Sequence, residues 1–119
     1  MTHHYEALSF RHAFGVPTPA PDTWHFQLAL ITEEFCEFSE AAFTSDPSHT
    51  LKELADLTFV CYQYAAAQGW NLDAALTSIF ESNMSKLGED GKPIRRSDGK
   101  ILKGPNYKEP NLYHLVDRQ

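Results

Sequence analysis

Apolar residues recur every three or four positions along most of residues 1–87, which is the repeat of an α-helix. Four helices are predicted: residues 5–14, about Trp24 to Thr44, near Pro47 to about Gln68, and about residues 72–87. The third of these is apolar almost all round, and such a helix is expected to be buried. In the second, the positions that predict a core-facing stripe are Leu28, Ile31, Phe35, Phe38 and Ala42.

The pattern changes beyond residue 88, where glycine and proline recur too closely for a long helix. Residues 93–103 predict a small hairpin around an Asp98-Gly99 turn. We therefore expect an all-α fold, a bundle of about four helices followed by a basic irregular or hairpin tail. At 119 residues the chain is expected to form one domain, with a helical body over 1–87 and the tail over 88–119.

Charge divides the chain in the same place. Residues 1–85 contain two basic and eleven acidic residues, whereas residues 86–119 contain eight basic and five acidic ones. An acidic body that holds metal and a basic tail that holds phosphate would have this distribution, and an acidic surface with a solvated tail is the alternative. The formal net charge of −6 argues against nucleic acid as the main partner.

Composition excludes several other classes of protein. The chain has 42% hydrophobic and 13% aromatic residues, which is too apolar for a disordered chain. Its first residues lack the basic stretch and apolar run expected of a signal peptide, and no apolar run reaches the length expected of a membrane span. A soluble, cytoplasmic protein is expected, in which Cys36 and Cys61 are free thiols.

Two groups of acidic residues lie within the two longest predicted helices: Glu33, Glu34 and Glu37 in one, and Glu53 and Asp56 in the next. Spacings of three or four residues place side chains on one helix face. Like charges held together there repel one another, and in an apolar setting they also lose solvation. A bound divalent cation is the simplest way to hold them, and an all-oxygen ligand set suits Mg²⁺ or Mn²⁺ better than Zn²⁺.

Each group also has an explanation that needs no metal. The first group is compatible with a solvated helix face, because glutamate is a good helix former. Glu53 would complete a capping box that starts at Thr50. Neither explanation covers Asp56, which lies a full turn inside its helix between two apolar residues. Together the two groups favour a metal-dependent enzyme that acts on a polyphosphate.

The motif Glu-Glu-x-x-Glu over residues 33–37, followed by Glu-x-x-Asp over 53–56, resembles the MazG-like superfamily of all-α nucleoside triphosphate pyrophosphohydrolases. Other segments are similar to a bacterial and phage branch with a phosphoribosyl-ATP pyrophosphohydrolase-like domain, which includes MazZ-type enzymes. These segments are residues 13–17, 82–87, 90–93 and 98–107. The resemblance therefore covers nearly the whole chain.

This resemblance implies cleavage between the α- and β-phosphates of a nucleoside triphosphate, which releases a monophosphate and pyrophosphate. A purine deoxynucleotide, dGTP or dATP, is the favoured substrate. Two or three Mg²⁺ or Mn²⁺ ions would be bound by Glu34, Glu37, Glu53 and Asp56. Glu33 would orient or deprotonate the attacking water. The two acidic helices are expected to pack antiparallel, in a homodimer or homotetramer.

Further residues are expected to hold the substrate: Trp24, Asn83, Lys86, Arg95, Lys103 and Tyr107. Trp24 would form a wall for the base, or else lie in the core or a dimer interface. Asn83 and Lys86 would contact the nucleoside and a phosphate, or else form a polar patch at a helix end. Tyr107 would stack on the base or anchor the tail. Arg95 and Lys103 are the tail bases expected to bind phosphate, since arginine grips its oxygens in pairs and lysine acts as a point charge, and the other tail bases would be solvated.

Three other functions fit the same pattern. A phosphoribosyl-ATP pyrophosphohydrolase of histidine synthesis shares the acidic motif, so only its substrate distinguishes it. A non-catalytic nucleotide- or metal-binding regulator would bind without turnover. A structural dimer with acids on its surface would bind no metal, and Mg²⁺ would not change its thermal stability.

Overall fold

The computed structural model describes residues 2–116, and helices account for most of its regular structure. The elements are α1 (His3–Ala13), a 3₁₀ turn (Pro21–Thr23), α2 (Trp24–Ala42), α3 (Pro47–Gln68), α4 (Leu72–Met84), β1 (Ile94–Arg95), β2 (Ile101–Leu102) and α5 (Tyr113–Val116). The prediction of an all-α fold is confirmed. Within the described residues, none of the helices has the length and apolar character that crossing a membrane requires.

The chain divides into two compact units, residues 1–72 and residues 73–119. The first contains α1, α2 and α3, and the second contains nearly all of α4, the β-hairpin and α5. Each unit is described by itself below. The expectation of one domain over the whole chain stays a prediction.

Local capping signals define the two ends of α3. The Asp46 side chain accepts hydrogen bonds from the backbone N–H groups of Ser48 (3.1 Å) and His49 (3.2 Å). At the other end Gly69 adopts a left-handed conformation, with φ of 83°, which glycine adopts without steric cost. Both ends of this helix agree with the prediction.

The fourth helix ends at Met84, three residues earlier than predicted. The Ser85 hydroxyl donates to the Ser82 carbonyl oxygen at 2.6 Å, and the Lys86 N–H donates to the Asn83 carbonyl oxygen at 3.1 Å. These bonds span three residues, so they tighten the chain into a turn instead of continuing the α-helix. Lys86 therefore lies in the turn that follows α4.

Hydrogen bonds at both ends show that α2 and α3 are antiparallel, as predicted. The Thr50 hydroxyl, near the start of α3, donates to the Ala41 carbonyl oxygen near the end of α2 at 2.9 Å. The Gln68 side-chain amide, at the end of α3, donates to the Pro21 carbonyl oxygen just before α2 at 2.9 Å. The segment between the two helices is short, which requires them to form a helical hairpin.

The predicted core stripe of α2 is wrong at three of its five positions, whereas Ile31 and Phe38 are half-buried. Gln27 and Ala41 are buried, whereas Leu28 and Phe35 remain 46% and 54% exposed and Ala42 is exposed as well. One residue corresponds to a rotation of about 100° around a helix. The apolar stripe thus lies about a quarter turn away from the face that packs on α3.

The expectation that α3 is buried along its whole length is also wrong. Leu51, Leu54 and Phe59 are 66%, 41% and 39% exposed, and most of the buried residues of α3 lie between Tyr62 and Gln68. The core of the first unit joins α1 to the C-terminal half of α3. Its buried members are Ala7, Tyr62 and Ala66, with Leu8 and Leu72 packed against them. Small residues at this contact let the two helices approach closely.

Arg11 is the largest fully buried side chain, with 2% exposure. Its guanidinium donates to the Thr18 hydroxyl (2.7 Å), the Pro17 carbonyl oxygen (2.8 Å) and the Gln63 side-chain oxygen (3.4 Å). Within residues 2–116 it forms no ion pair, and burial lowers the pKa of the Arg11 guanidinium. These bonds attach the proline-containing segment to α1 and α3.

The second unit contains the predicted hairpin. Ile94 pairs with Leu102 and Arg95 with Ile101, and the Asp98 side chain accepts a hydrogen bond from the Lys100 N–H (3.1 Å) within the turn. Beyond β2 the backbone at Gly104 lies against the turn after α4, where its N–H donates to the Lys86 carbonyl oxygen at 2.8 Å. A Cβ atom at Gly104 would lie 2.5 Å from the Leu87 carbonyl oxygen, so only glycine fits.

We predict that Arg11→Met lowers the free energy of unfolding by about 1–3 kcal/mol, because the Pro17 and Gln63 oxygens would lose a buried donor. The measurement is urea denaturation followed by circular dichroism. Arg96→Met is the matched control, since it removes the same group from an exposed pair with Asp98. Equal effects of the two substitutions would show that the buried hydrogen bonds of Arg11 do not stabilise the fold.

Candidate metal centre

Three of the four predicted metal ligands converge in the first unit. One carboxylate oxygen from each of Glu34, Glu37 and Glu53 lies within 4.8 Å of the other two. Glu34 and Glu37 are one turn apart on α2, and the antiparallel packing brings Glu53 of α3 opposite them. We call these three residues the carboxylate cluster.

Burial distinguishes the carboxylate cluster from a set of surface acids. Glu53 is 5% exposed, Glu34 is half-buried and Glu37 is exposed. The Oε2 atoms of Glu34 and Glu53 are buried, and neither has a hydrogen-bond partner among the described residues. A buried carboxylate oxygen without a partner is costly, and a cation would compensate for it. Exclusively oxygen donors at this separation fit a hard divalent ion such as Mg²⁺ or Mn²⁺.

Asp56, the fourth predicted ligand, is one turn from Glu53 on α3 and is engaged with a lysine. The Lys52 Nζ atom lies 2.7 Å from Asp56 Oδ2 and 3.3 Å from Glu53 Oε1. These contacts raise the pKa of Lys52, first through the hydrogen bond to Asp56 and then through the one to Glu53. The role of Asp56 as a metal ligand stays a prediction.

Electrostatic repulsion within the carboxylate cluster is strongest at Glu37. The pKa of the Glu37 carboxyl is raised, mainly by the negative charge of Glu34, then by desolvation and by the charge of Glu53. The negative charges of Glu34 and Glu53 therefore make ionisation of Glu37 less favourable. This is the electrostatic condition under which a divalent cation binds most strongly, because it replaces repulsion with attraction.

A cavity of about 340 Å³ adjoins the carboxylate cluster. Glu37 and Glu53 line it together with residues from the end of α2 and the start of α3: Glu40, Ala41, Thr44 and His49. The His49 Nδ1 atom lies 3.9 Å from Glu53 Oε1. Sequence reasoning did not single out Glu40 or His49 as site residues. The signal available for Glu40 was its position three residues after Glu37, which continues the spacing that joins Glu34 and Glu37.

Glu33 and Trp24 lie on α2 but outside the carboxylate cluster. Glu33 is exposed, as the residue before Glu34 must be when Glu34 faces the neighbouring helix. Trp24 begins α2, is 40% exposed, and its indole ring contacts the imidazole of His25. The catalytic role of Glu33 and the base-binding role of Trp24 stay predictions.

The other predicted substrate-binding residues belong to the second unit. Asn83 is exposed on the last turn of α4, and Lys86 follows in the next turn. Lys103 places its ammonium 4.7 Å above the centre of the Tyr107 ring, a cation–π contact within the tail. The Arg95 guanidinium donates to the Gly99 carbonyl oxygen at 3.2 Å, which stabilises the hairpin turn. Their contacts with a substrate stay predictions.

Sequence comparison identifies a family for most of the chain. A family model described as phosphoribosyl-ATP pyrophosphohydrolase matches residues 10–83. The matched region contains α2 and α3 entirely, and with them the carboxylate cluster and Asp56. No curated protein matches the chain significantly.

We predict that Glu37→Gln raises the thermal midpoint of the protein at pH 7 in the presence of a chelator. The folded-state pKa of Glu37 is raised, so its deprotonated form opposes folding above that pKa. This penalty, and with it the advantage of the variant, should disappear as the pH falls below about 4, where the carboxyl is protonated in both states. Calorimetry over a pH series tests both statements.

Glu33→Gln is the matched control, because it changes the same group on the same helix outside the carboxylate cluster. With Mg²⁺ or Mn²⁺ in excess, the order should reverse, since the parent protein gains more from a cation that binds only its folded state. A lower midpoint for Glu37→Gln in chelator at pH 7 would contradict the proposed repulsion.

Proposed function

Since the chain belongs to the phosphoribosyl-ATP pyrophosphohydrolase family, part of the MazG-like superfamily, we propose that it converts a nucleoside triphosphate to a monophosphate and pyrophosphate with a divalent metal. One observation supports the metal dependence more than any other. Carboxylates from two antiparallel helices converge within 4.8 Å, and two of their buried oxygens lack a partner among the described residues. In a structural dimer with acids on its surface, nothing would offset the electrostatic repulsion and desolvation that this arrangement costs.

The residues of the first unit have distinct proposed roles. Glu34, Glu37 and Glu53 hold the cations, and Asp56 completes the set from the next turn of α3. When bound, two or three Mg²⁺ or Mn²⁺ ions neutralise the polyphosphate and lower the pKa of the attacking water. Glu33, exposed beside the carboxylate cluster, orients this water and accepts its proton.

Residues of the second unit supply the proposed phosphate and nucleoside contacts. Lys86, Arg95 and Lys103 are cations that can bind phosphate oxygens, and Asn83 offers both a donor and an acceptor to the sugar or base. Tyr107 provides an aromatic surface for a base, and Trp24, a residue of the first unit, is proposed as a second one. We propose a purine deoxynucleotide, dGTP or dATP, as the substrate. Phosphoribosyl-ATP is the second candidate, since the matching family model carries its name.

We also propose that the protein forms a homodimer, or a homotetramer built from such dimers, through the apolar stripe of α2. Leu28 and Phe35 lie on one face of this helix and are 46% and 54% exposed. Ile31, half-buried, lies between them on the same face. A contiguous apolar face of this kind on a helix marks an association surface, because exposure of large apolar side chains to water is unfavourable.

We predict hydrolysis of at least one nucleotide when the common NTPs, the dNTPs and phosphoribosyl-ATP are each incubated with Mg²⁺ or Mn²⁺. The products, separated by ion-exchange chromatography, should be a monophosphate and pyrophosphate. Glu34→Gln should lower kcat/KM at least about a hundredfold, because it removes a charged ligand from the carboxylate cluster.

Glu89→Gln is the control for this substitution, since Glu89 is an exposed acid outside the proposed machinery. A diphosphate and orthophosphate as products would refute the proposed bond cleavage. Binding of nucleotide without any turnover by the parent protein would instead support the non-catalytic regulator.

We predict that Leu28→Glu or Phe35→Glu halves the mass measured by light scattering after size-exclusion chromatography. A carboxylate on the apolar stripe would have to be desolvated in the interface. Phe26→Glu is the matched control, because Phe26 is 62% exposed and lies on the opposite side of α2. An unchanged mass for both stripe variants would exclude this face as the interface.

A further inference from the structure

Lys52 is the only basic side chain other than His49 that contacts the acidic residues of this site within residues 2–116. Its ammonium lies 2.7 Å from Asp56 Oδ2 and 3.3 Å from Glu53 Oε1, so one cation bridges two of the four proposed metal ligands. The side chain itself is 65% exposed, whereas that of Glu53 is only 7% exposed. The charged end of an exposed lysine therefore reaches a carboxylate that is buried.

Helix geometry accounts for the contact of Lys52 with Asp56, four residues away, but not for its contact with Glu53. Side chains of adjacent residues such as Lys52 and Glu53 point about 100° apart on a helix and normally do not meet. A lysine placed four residues before an acid is also the weaker orientation of such a pair. The negative potential of the converging carboxylates favours an ammonium that reaches Glu53 as well as Asp56.

We propose that Lys52 is the internal counter-ion of the site, an inference that rests on the proposed metal-dependent function. Its ammonium pairs with Glu53 and Asp56 until a divalent cation displaces it. The ammonium satisfies Glu53 Oε1, but the Oε2 atom of Glu53 remains buried without a partner among the described residues. One monovalent charge thus neutralises only part of the site. A divalent ion brings more charge, and release of Lys52 returns an exposed side chain to water.

Lys52 is accordingly a positioning residue that sets metal affinity. It keeps the two α3 carboxylates in place when no metal is bound, which limits the repulsion within the site. The same contact competes with the metal, so the affinity of the site is lower than its carboxylates alone would provide. Removal of the lysine should strengthen metal binding, although the substitution leaves every proposed ligand in the sequence.

The test is a titration of the nucleotide-free protein with Mn²⁺, in which free Mn²⁺ is quantified by electron paramagnetic resonance. Lys52→Met should bind Mn²⁺ about fivefold more tightly than the parent, which corresponds to the loss of one competing ion pair at a partly exposed site. Lys52→Arg keeps the charge and should stay close to the parent. Lys92→Met removes the same charge from an exposed position outside this unit and should leave the affinity unchanged.

Equal or weaker binding of Mn²⁺ by Lys52→Met, with binding by the parent intact, would overturn the role of Lys52 alone. Failure of the folded parent protein to bind Mn²⁺ would overturn the proposed function together with this inference. Should Lys52→Met not fold, the lysines of the parent can be reductively methylated with ¹³C and followed by NMR. A Lys52 resonance, assigned through Lys52→Gln, that moves on addition of Mg²⁺ supports displacement, and one that does not move overturns it.

Discussion

The antiparallel approach of α2 and α3 is the constraint on which the candidate site depends. Hydrogen bonds at both ends of the pair, from Thr50 to Ala41 and from Gln68 to Pro21, set how the two helices align. Once they are aligned, Glu53 must lie opposite the acids of α2, whatever the electrostatic cost. The energy that stabilises the helix pair therefore also maintains a concentration of negative charge that an isolated helix would not tolerate, and stored repulsion of this kind favours the binding of a cation.

Signals confined to a few neighbouring residues were enough to predict α1 to α4, but not the short α5 or the surroundings of each helix. Asp46 and Gly69 act through the local backbone, so both ends of α3 could be predicted from the sequence. Apolar periodicity identifies the apolar face of a helix but not the neighbour that covers this face. Leu28 therefore fits the pattern of a core residue, although it is 46% exposed. The convergence of Glu34, Glu37 and Glu53 could be predicted from helix spacing together with the family resemblance. The four-residue spacing of Lys52 and Asp56 is visible in the sequence, but the additional contact of Lys52 with the adjacent Glu53 depends on a side-chain rotamer that no sequence pattern specifies.

The first unit buries polar groups where a small domain usually buries large apolar ones. Arg11, Gln27 and Gln63 lie inside, and the Gln63 side-chain amide donates to the Ala7 carbonyl oxygen at 3.3 Å. Directional hydrogen bonds of this kind specify one arrangement of helices and loop more strictly than apolar contacts do. The large apolar side chains that are not needed inside remain available on the outside, as Leu28 and Phe35 show. Polar side chains therefore occupy part of the interior of this unit, and several large apolar side chains lie on its surface.

The attachment of the hairpin after α4 relies on the main chain. The Gly104 N–H binds the Lys86 carbonyl oxygen, the Gly88 N–H binds the Lys92 carbonyl oxygen, and neither bond involves a side chain. The segment between these glycines can therefore change its composition without losing its anchor points. The segment between Gly88 and Gly104 could therefore be replaced by that of a relative, in evolution or by design, and the new loop could recognise a different ligand while α4 stays unchanged.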